Sequence, residues 1–225
     1  MPNAITLHTF YRSSSSSRLR MALNLKGISY TPIFVNLNAN EHRSEAYTKI
    51  NPMRTVPLLV HHSEQGKDVS VAQTLAALEY LDEAFPSTRP LLPPQSDLAG
   101  RAFVRTLTAT IVADVQPVTS LRVQAGIAEI GGDRLAWART WMEAGLRAYE
   151  AFLENEGSTG RFSYGDSITI ADICLTAQVW NAISINMSLD PYPRLKQVFE
   201  NMEKEKAVID SYWQNQPDCP ADQRA

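Results

Sequence analysis

The sequence predicts a small α/β domain followed by an all-helical one. Three observations point there. Strand-like and helix-like signals alternate as far as residue 85, a proline-rich stretch interrupts them, and only helical periodicity follows. "ITLHTF" (5–10) alternates apolar with polar or small residues, as a strand does. Residues 15–26 read as helix, with Leu19, Ala22, Leu23 and Leu25 close to helical spacing and Gly27 as the stop. "TPIFVNL" (31–37) is a second strand and "HRSEAYTKI" (42–50) a short helix. "TVPLLV" (55–60) is a strand entered through Pro57. "KDVSV" (67–71) is another strand, reached through the turn-like "SEQGK", and "QTLAALEYLDEAF" (73–85) is a strong helical pattern. The order is βαβαββα. The crossover helix implies parallel pairing of the first two strands, and the short turn implies a hairpin of the last two.

"PSTRPLLPPQSD" (86–97) has little periodicity and reads as a linker. Beyond it, Phe103, Leu107 and Ile111 recur at four-residue spacing in "FVRTLTATIVADVQPV", and helical patterns run through 133–154, 170–185 and 193–212. Thr169 and Asp172 of "TIAD" form an S/T-x-x-D pattern ahead of an apolar helix, close to a capping box.

Bulk properties narrow the function. The 225 residues suffice for one large or two small cores, and 44% hydrophobic with 20% charged residues is ordinary for a soluble globular protein. A net charge of −3 and a pI near 5.8 argue against a nucleic-acid partner. No apolar run reaches the roughly 18 residues of a membrane span. "MPNAITLHTF" shows no secretory pattern. Cys174 sits in the apolar "IADICL" and Cys219 in the polar "PDCPADQRA"; with no CxxC or ligand cluster, a reduced, cytoplasmic setting fits. His8, His42, His61 and His62 lack partners at ligand spacing, so no metal site is expected.

The chemistry concentrates in three places. Five serines, Ser13 to Ser17, stand where the first strand feeds the first helix. Alone, such a run reads as a linker; between a strand and its helix it is a hydroxyl-rich helix N-terminus. That end carries unpaired N–H groups and partial positive charge, which favour an anion such as a thiolate. A single serine there can simply cap the helix. Arg12 and Arg18 add positive potential, or are ordinary surface charge. Second, Pro57 lies either in a trans edge strand or after a cis bond that turns the Val56 N–H and C=O outward to meet an extended peptide. Third, Gln73 and Thr74 open a helix directly after a strand. Thr74 is an N-cap or, with the N–H groups of the first turn, a carboxylate holder.

Those same residues resemble the zeta-class glutathione transferases, the class that includes maleylacetoacetate isomerase of tyrosine breakdown. "FYRSSSSSRLRMALNLKGISY" resembles the class signature SSC-x-x-R-V-R followed by A-L-x-L-K-G, and "INPMRTVPLL" its N-P-x-x-x-V-P-x-L. "ADVQPV" (113–118) resembles G-x-Q-P, and "ITIADICLTAQVWNA" resembles T-x-A-D-x-C-L-x-P-Q-x-x-N-A. The match runs from about residue 5 to residue 220. It implies a thioredoxin-like glutathione-binding domain over 1–87, a linker over 88–96 and a helical domain over 97–225.

The resemblance also implies roles. Ser13 bonds the glutathione sulfur, with Ser14 and Ser15 in the same catalytic motif. Val56 pairs with the cysteinyl backbone, Gln73 and Thr74 hold the γ-glutamyl group, and His42 stands near the tripeptide. Gln116 reaches the site from the second domain's first helix, and Pro117 after it is expected to kink that helix. Two positions depart from the class: Ser15 replaces its cysteine, and Ser184 falls where the family often has a carboxylate-binding arginine. On the substrate side this leaves Arg12, Arg18 and Ser184, with Arg122 a further cation.

The implied activity is glutathione-dependent isomerisation of maleylacetoacetate. The alternatives are a general transferase of small electrophiles and a non-catalytic binding protein on the same fold. A disulfide enzyme would need a cysteine at the first helix, and none is there. Homodimerisation is implied by the family alone.

Overall fold

The computed structural model describes residues 4–63, 66–156 and 160–224, so Glu64 and Gln65 of the expected turn lie outside the described residues. The chain divides into two compact units, Met1–Pro90 with Glu205–Ala225, and Leu91–Lys204.

The first unit is built on four strands: β1 (Ala4–Thr9), β2 (Tyr30–Phe34), β3 (Leu58–His62) and β4 (Val69–Val71). Their order is β2-β1-β3-β4, with β1 and β2 parallel and the other two pairings antiparallel. Three helices intervene: α1 (Ser14–Leu25), α2 (Glu45–Ile50) and α3 (Thr74–Ala84). The expected βαβαββα order is therefore present. Alternation on β1 buries Ile5, Leu7 and Thr9 on one face. Leu7, Leu19, Leu59 and Leu78 are fully buried; each such side chain contributes about 1.5–3 kcal/mol. Lys26, at the end of α1, is buried too, and reaches Asp82 at 3.2 Å and the Arg89 carbonyl at 2.9 Å.

Some expected boundaries shift. The strand read as 31–37 ends at Phe34, because the chain turns through 37–40. The helix read as 42–50 divides into a 3-10 turn, Glu41–Arg43, and α2, because Ser44 leaves the helical region and caps α2 by accepting from the Tyr47 N–H. The strand read as 55–60 begins at Leu58, after Pro57, which has no N–H for the ladder.

The second unit contains α4 (Leu98–Ala109), a π-helical turn (Thr110–Val115), α5 (Gln116–Thr119), α6 (Leu121–Glu129), α7 (Arg134–Glu156), α8 (Ile170–Ser184) and α9 (Pro193–Met202). α6, capped by Ser120, was not anticipated from periodicity. The distortion expected at Pro117 takes the form of the π turn, where the Gln116 N–H reaches back five residues to the Ile111 carbonyl. Gly145 on α7 faces Val115 of this turn closely enough that a Cβ would collide with its side chain. α8 is almost wholly buried. Thr169 and Asp172 form the expected capping box. Buried Asp172 accepts from the Thr169 N–H (2.7 Å), the Thr169 hydroxyl (2.9 Å) and the Ser163 N–H (2.7 Å).

The helical domain expected over 97–225 ends earlier in space. The helix read as 193–212 breaks after Met202, and α10 (Lys206–Ile209) with all that follows belongs to the first unit. The reason is bonding to that unit: Asn24 Nδ2 donates to the Ser211 hydroxyl at 2.9 Å, and Arg20 donates to the Ser211 carbonyl.

Candidate active site

Register brings the predicted residues of the first unit to one end of the sheet. His8 pairs with Leu58, Thr9 with Phe34, and Leu59 with Val71. The segments leaving β1 and β2, entering β3 and leaving β4 therefore share an edge. These carry Ser13–Ser15, His42, Val56 and Gln73–Thr74. An apolar cluster of Phe10, Tyr11, Val35, Tyr47, Val56 and Cys219, joined by Leu37 and Trp213, ties the β1, β2 and β3 segments together.

Ser13 is the N-cap of α1 and accepts from the Ser16 N–H at 3.1 Å. The capping role thus holds, and it does not exhaust the group: an accepting hydroxyl keeps its own proton to donate. Ser13, Ser14 and Ser15 are all half-buried, at the positive end of α1. Ser17 donates to the Ser13 carbonyl at 3.2 Å, and Ser16 is fully buried, its hydroxyl unpartnered among the described residues. Arg12 is exposed, its guanidinium 5.5 Å from the Trp213 ring centroid. Arg18 is not surface charge, because it is 1% exposed. His42 is half-buried with Nδ1 unpartnered, and burial, with Arg43 nearby, lowers its pKa.

The Val56–Pro57 peptide bond is cis. Val56 is buried, and among the described residues neither its N–H nor its C=O has a hydrogen-bond partner. The loop before it is held firmly. Thr55 C=O accepts from the Tyr47 hydroxyl and from Asn51 Nδ2, both at 2.7 Å. At α3 the N-cap is Gln73, exposed and without a capping bond, rather than Thr74. Thr74 is the first helical residue and is buried.

Gln116 and Ser184 belong to the second unit. Gln116 is half-buried at the start of α5. Ser184 ends α8, exposed, its hydroxyl donating to the Asn181 carbonyl at 2.7 Å. Among the described residues no group of three His, Cys, Asp or Glu could hold a metal ion. Cys174 and Cys219 are buried and form no disulfide among the described residues.

Four contributors were missed in the sequence: Tyr47, Asn51, Arg20 and Asp218. Asn51 lay inside the quoted "INPMRTVPLL". Arg20 is fully buried, and burial pushes its guanidinium down to about 10. It bonds Thr9 Oγ1 at 2.9 Å and Ser17 Oγ at 2.8 Å. Nothing local marks a buried arginine or an aspartate near the chain end.

A model of the glutathione S-transferase N-terminal domain matches residues 12–84, and one of the C-terminal domain matches 134–216. A maleylacetoacetate isomerase of Emericella nidulans is 47% identical over 98% of this chain and 96% of its own. The holo structure of a maleylpyruvate isomerase, a bacterial zeta-class glutathione S-transferase, superposes with TM-score 0.87 at 35% identity, covering 96% of this chain and 100% of that one. A maleylacetoacetate isomerase of Anaeromyxobacter dehalogenans 2CP-1, with dicarboxyethyl glutathione and citrate in its active site, gives 0.86 at 34%, covering 99% of this chain and 97% of that one.

Proposed function

Since the chain belongs to the glutathione S-transferase family, in the group that contains the zeta-class maleylacetoacetate isomerases, we propose that it is a glutathione-dependent cis–trans isomerase of maleylacetoacetate. One observation carries this reading: a buried Val56 with both backbone polar groups unpartnered, at the same sheet edge as the hydroxyl-rich start of α1. An N–H and a C=O with no partner among the described residues are open to an extended peptide that pairs with both. The cysteinyl backbone of glutathione has the matching pair.

The residues present fit the tripeptide. Val56 pairs with its backbone. Gln73, Thr74 and the free N–H groups of the first turn of α3 hold the γ-glutamyl carboxylate. His42 stands beside the same edge. Ser13 offers its hydroxyl proton to the sulfur while the positive end of α1 favours the ionised form, with Ser14 and Ser15 flanking it. Bound glutathione supplies the thiolate that adds to the cis double bond and leaves again once the bond has rotated. Gln116 is proposed for the glutathione side, and Ser184 with the cations Arg12 and Arg122 for the substrate side; Arg18, 1% exposed, is not open to a ligand. The Anaeromyxobacter enzyme holds a glutathione derivative, dicarboxyethyl glutathione, in its active site.

We place the protein in tyrosine breakdown, as a cytoplasmic homodimer. The two buried cysteines, not joined in a disulfide, support the compartment; the dimer rests on the family. The deciding assay runs maleylacetoacetate turnover beside conjugation of a generic electrophile, each with and without glutathione. Isomerisation that requires glutathione supports the reading. Conjugation alone makes the protein a general transferase, and neither activity makes it a binding protein.

A further inference from the structure

The turn that carries Ser13 is held by the last residues of the chain. It is tight: the Ser13 N–H donates to the Phe10 carbonyl at 3.0 Å. Its other backbone groups are taken up from two directions. Asp218 Oδ2 accepts from the Tyr11 N–H at 2.8 Å. Arg20 Nη2 donates to the Tyr11 carbonyl at 3.1 Å and to the Ser211 carbonyl at 3.3 Å, and Nη1 donates to the Phe10 carbonyl at 3.4 Å. The Tyr11 hydroxyl donates to Gln223 at 3.4 Å, and Cys219 joins Phe10, Tyr11 and Val56 in one apolar cluster.

Ser13 is two residues beyond Tyr11, so a rotation of the Tyr11 peptide moves its hydroxyl. Asp218 is an expensive way to prevent this. Its carboxylate is half-buried, Oδ1 has no hydrogen-bond partner among the described residues, and burial raises its pKa despite the Tyr11 and Asp218 N–H groups and nearby Arg20. A group that costs stability is expected where placement matters to function. We propose that Asp218 is a positioning residue, which holds the Tyr11 backbone so that the Ser13 hydroxyl stays aimed at the glutathione sulfur and keeps it ionised. This rests on the reading of glutathione at Ser13.

The test compares wild type with Asp218→Ala, Asp218→Asn and Ser13→Ala. Three quantities are measured: amide hydrogen exchange in the ligand-free protein, glutathione affinity by calorimetry, and thiol ionisation of bound glutathione by ultraviolet titration. Asp218→Ala should speed exchange at residues 11–13 and raise the bound thiol's pKa by about one, a tenfold fall in its acid dissociation constant. Affinity should change less than about threefold, because the tripeptide keeps its contacts elsewhere and only the interaction at sulfur is altered. Asp218→Asn keeps an acceptor and should restore most of the effect. If Ser13→Ala raises the thiol pKa and Asp218→Ala does not, the positioning role is overturned while the Ser13 reading stands. If neither raises it, both fall. An asparagine as impaired as the alanine overturns it too, since the acceptor is then irrelevant. Should Asp218→Ala not fold, Asp218→Ser, too short to reach the Tyr11 N–H, carries the test; failure of both to fold makes Asp218 a stability group and overturns the proposal.

Discussion

Asn51 Nδ2 donates to the Thr55 carbonyl at 2.7 Å, closing the loop that presents Val56. Its Oδ1 also accepts from the Met53 N–H at 3.1 Å. Asn51→Asp keeps that acceptor and loses the donor. One lost hydrogen bond is worth about 1 kcal/mol, so glutathione affinity should fall roughly fivefold. Calorimetric titration checks this; unchanged affinity would separate Val56 from tripeptide binding.

Ser13→Ala should act twice. Losing the N-cap should cost about 0.5–2 kcal/mol of stability, read as a lower urea midpoint. Losing the donor at sulfur should cost a few kcal/mol at the transition state, on the order of a hundredfold or more in turnover, with glutathione affinity nearly kept. Wild-type turnover from a folded Ser13→Ala would reject the assignment of the sulfur-binding hydroxyl.

In the second unit, Thr169→Ala should cost about 0.5–2 kcal/mol, as for a lost cap. Asp172→Ala should cost more, on the order of 3 kcal/mol or above, because it strands the buried Ser163 and Thr169 N–H groups. Urea unfolding of both variants gives the ranking, and equal effects would contradict it.

Ser184→Arg introduces the arginine that the family resemblance implies at this position. An anchor for a substrate carboxylate that acts equally in ground and transition states lowers the Michaelis constant without raising turnover. Steady-state kinetics on maleylacetoacetate should show that split. An unaltered Michaelis constant would place the carboxylate elsewhere.

Burial lowers the pKa of His8, whose Nδ1 is unpartnered and whose ring packs edge-on to Tyr47 at 5.8 Å. Between the folded value and the unfolded 6.5, the unfolded chain binds the extra proton. Stability from this group is therefore complete above 6.5 and is lost as pH falls through the window below it. His42, also lowered, has the same sign. Asp172, Glu203 and Asp218, raised by burial, have the opposite sign in the acidic range. Comparing wild type with His8→Phe isolates the histidine: the urea midpoint of the variant should fall less on acidification below 6.5. Parallel curves would show that His8 does not titrate differently on folding.

Where a feature depends on residues within about four positions of each other, the sequence by itself determined it. The βαβαββα order, the hydroxyl-rich start of α1 and the Thr169–Asp172 box are of this kind, because strand and helix periods and caps are local chemistry. Local chemistry also singled out Ser13, Val56, Gln73 and Thr74; motif resemblance gave them roles and added His42 and Gln116. Tertiary structure alone decided what holds them. Tyr11 and Asp218 are 207 positions apart, and Arg20 reaches Ser211 across 191. Glu150 caps the start of α9 by accepting from the Leu195 N–H, 45 residues on, at 2.8 Å. A buried polar group must find a partner, and the partner is whichever group the packed chain brings within reach. No local pattern records that choice, so "SRLR" reads as surface charge, "PDCPADQRA" reads as a polar tail, and only the folded chain turns Arg20 and Asp218 into the clamp on the Ser13 turn.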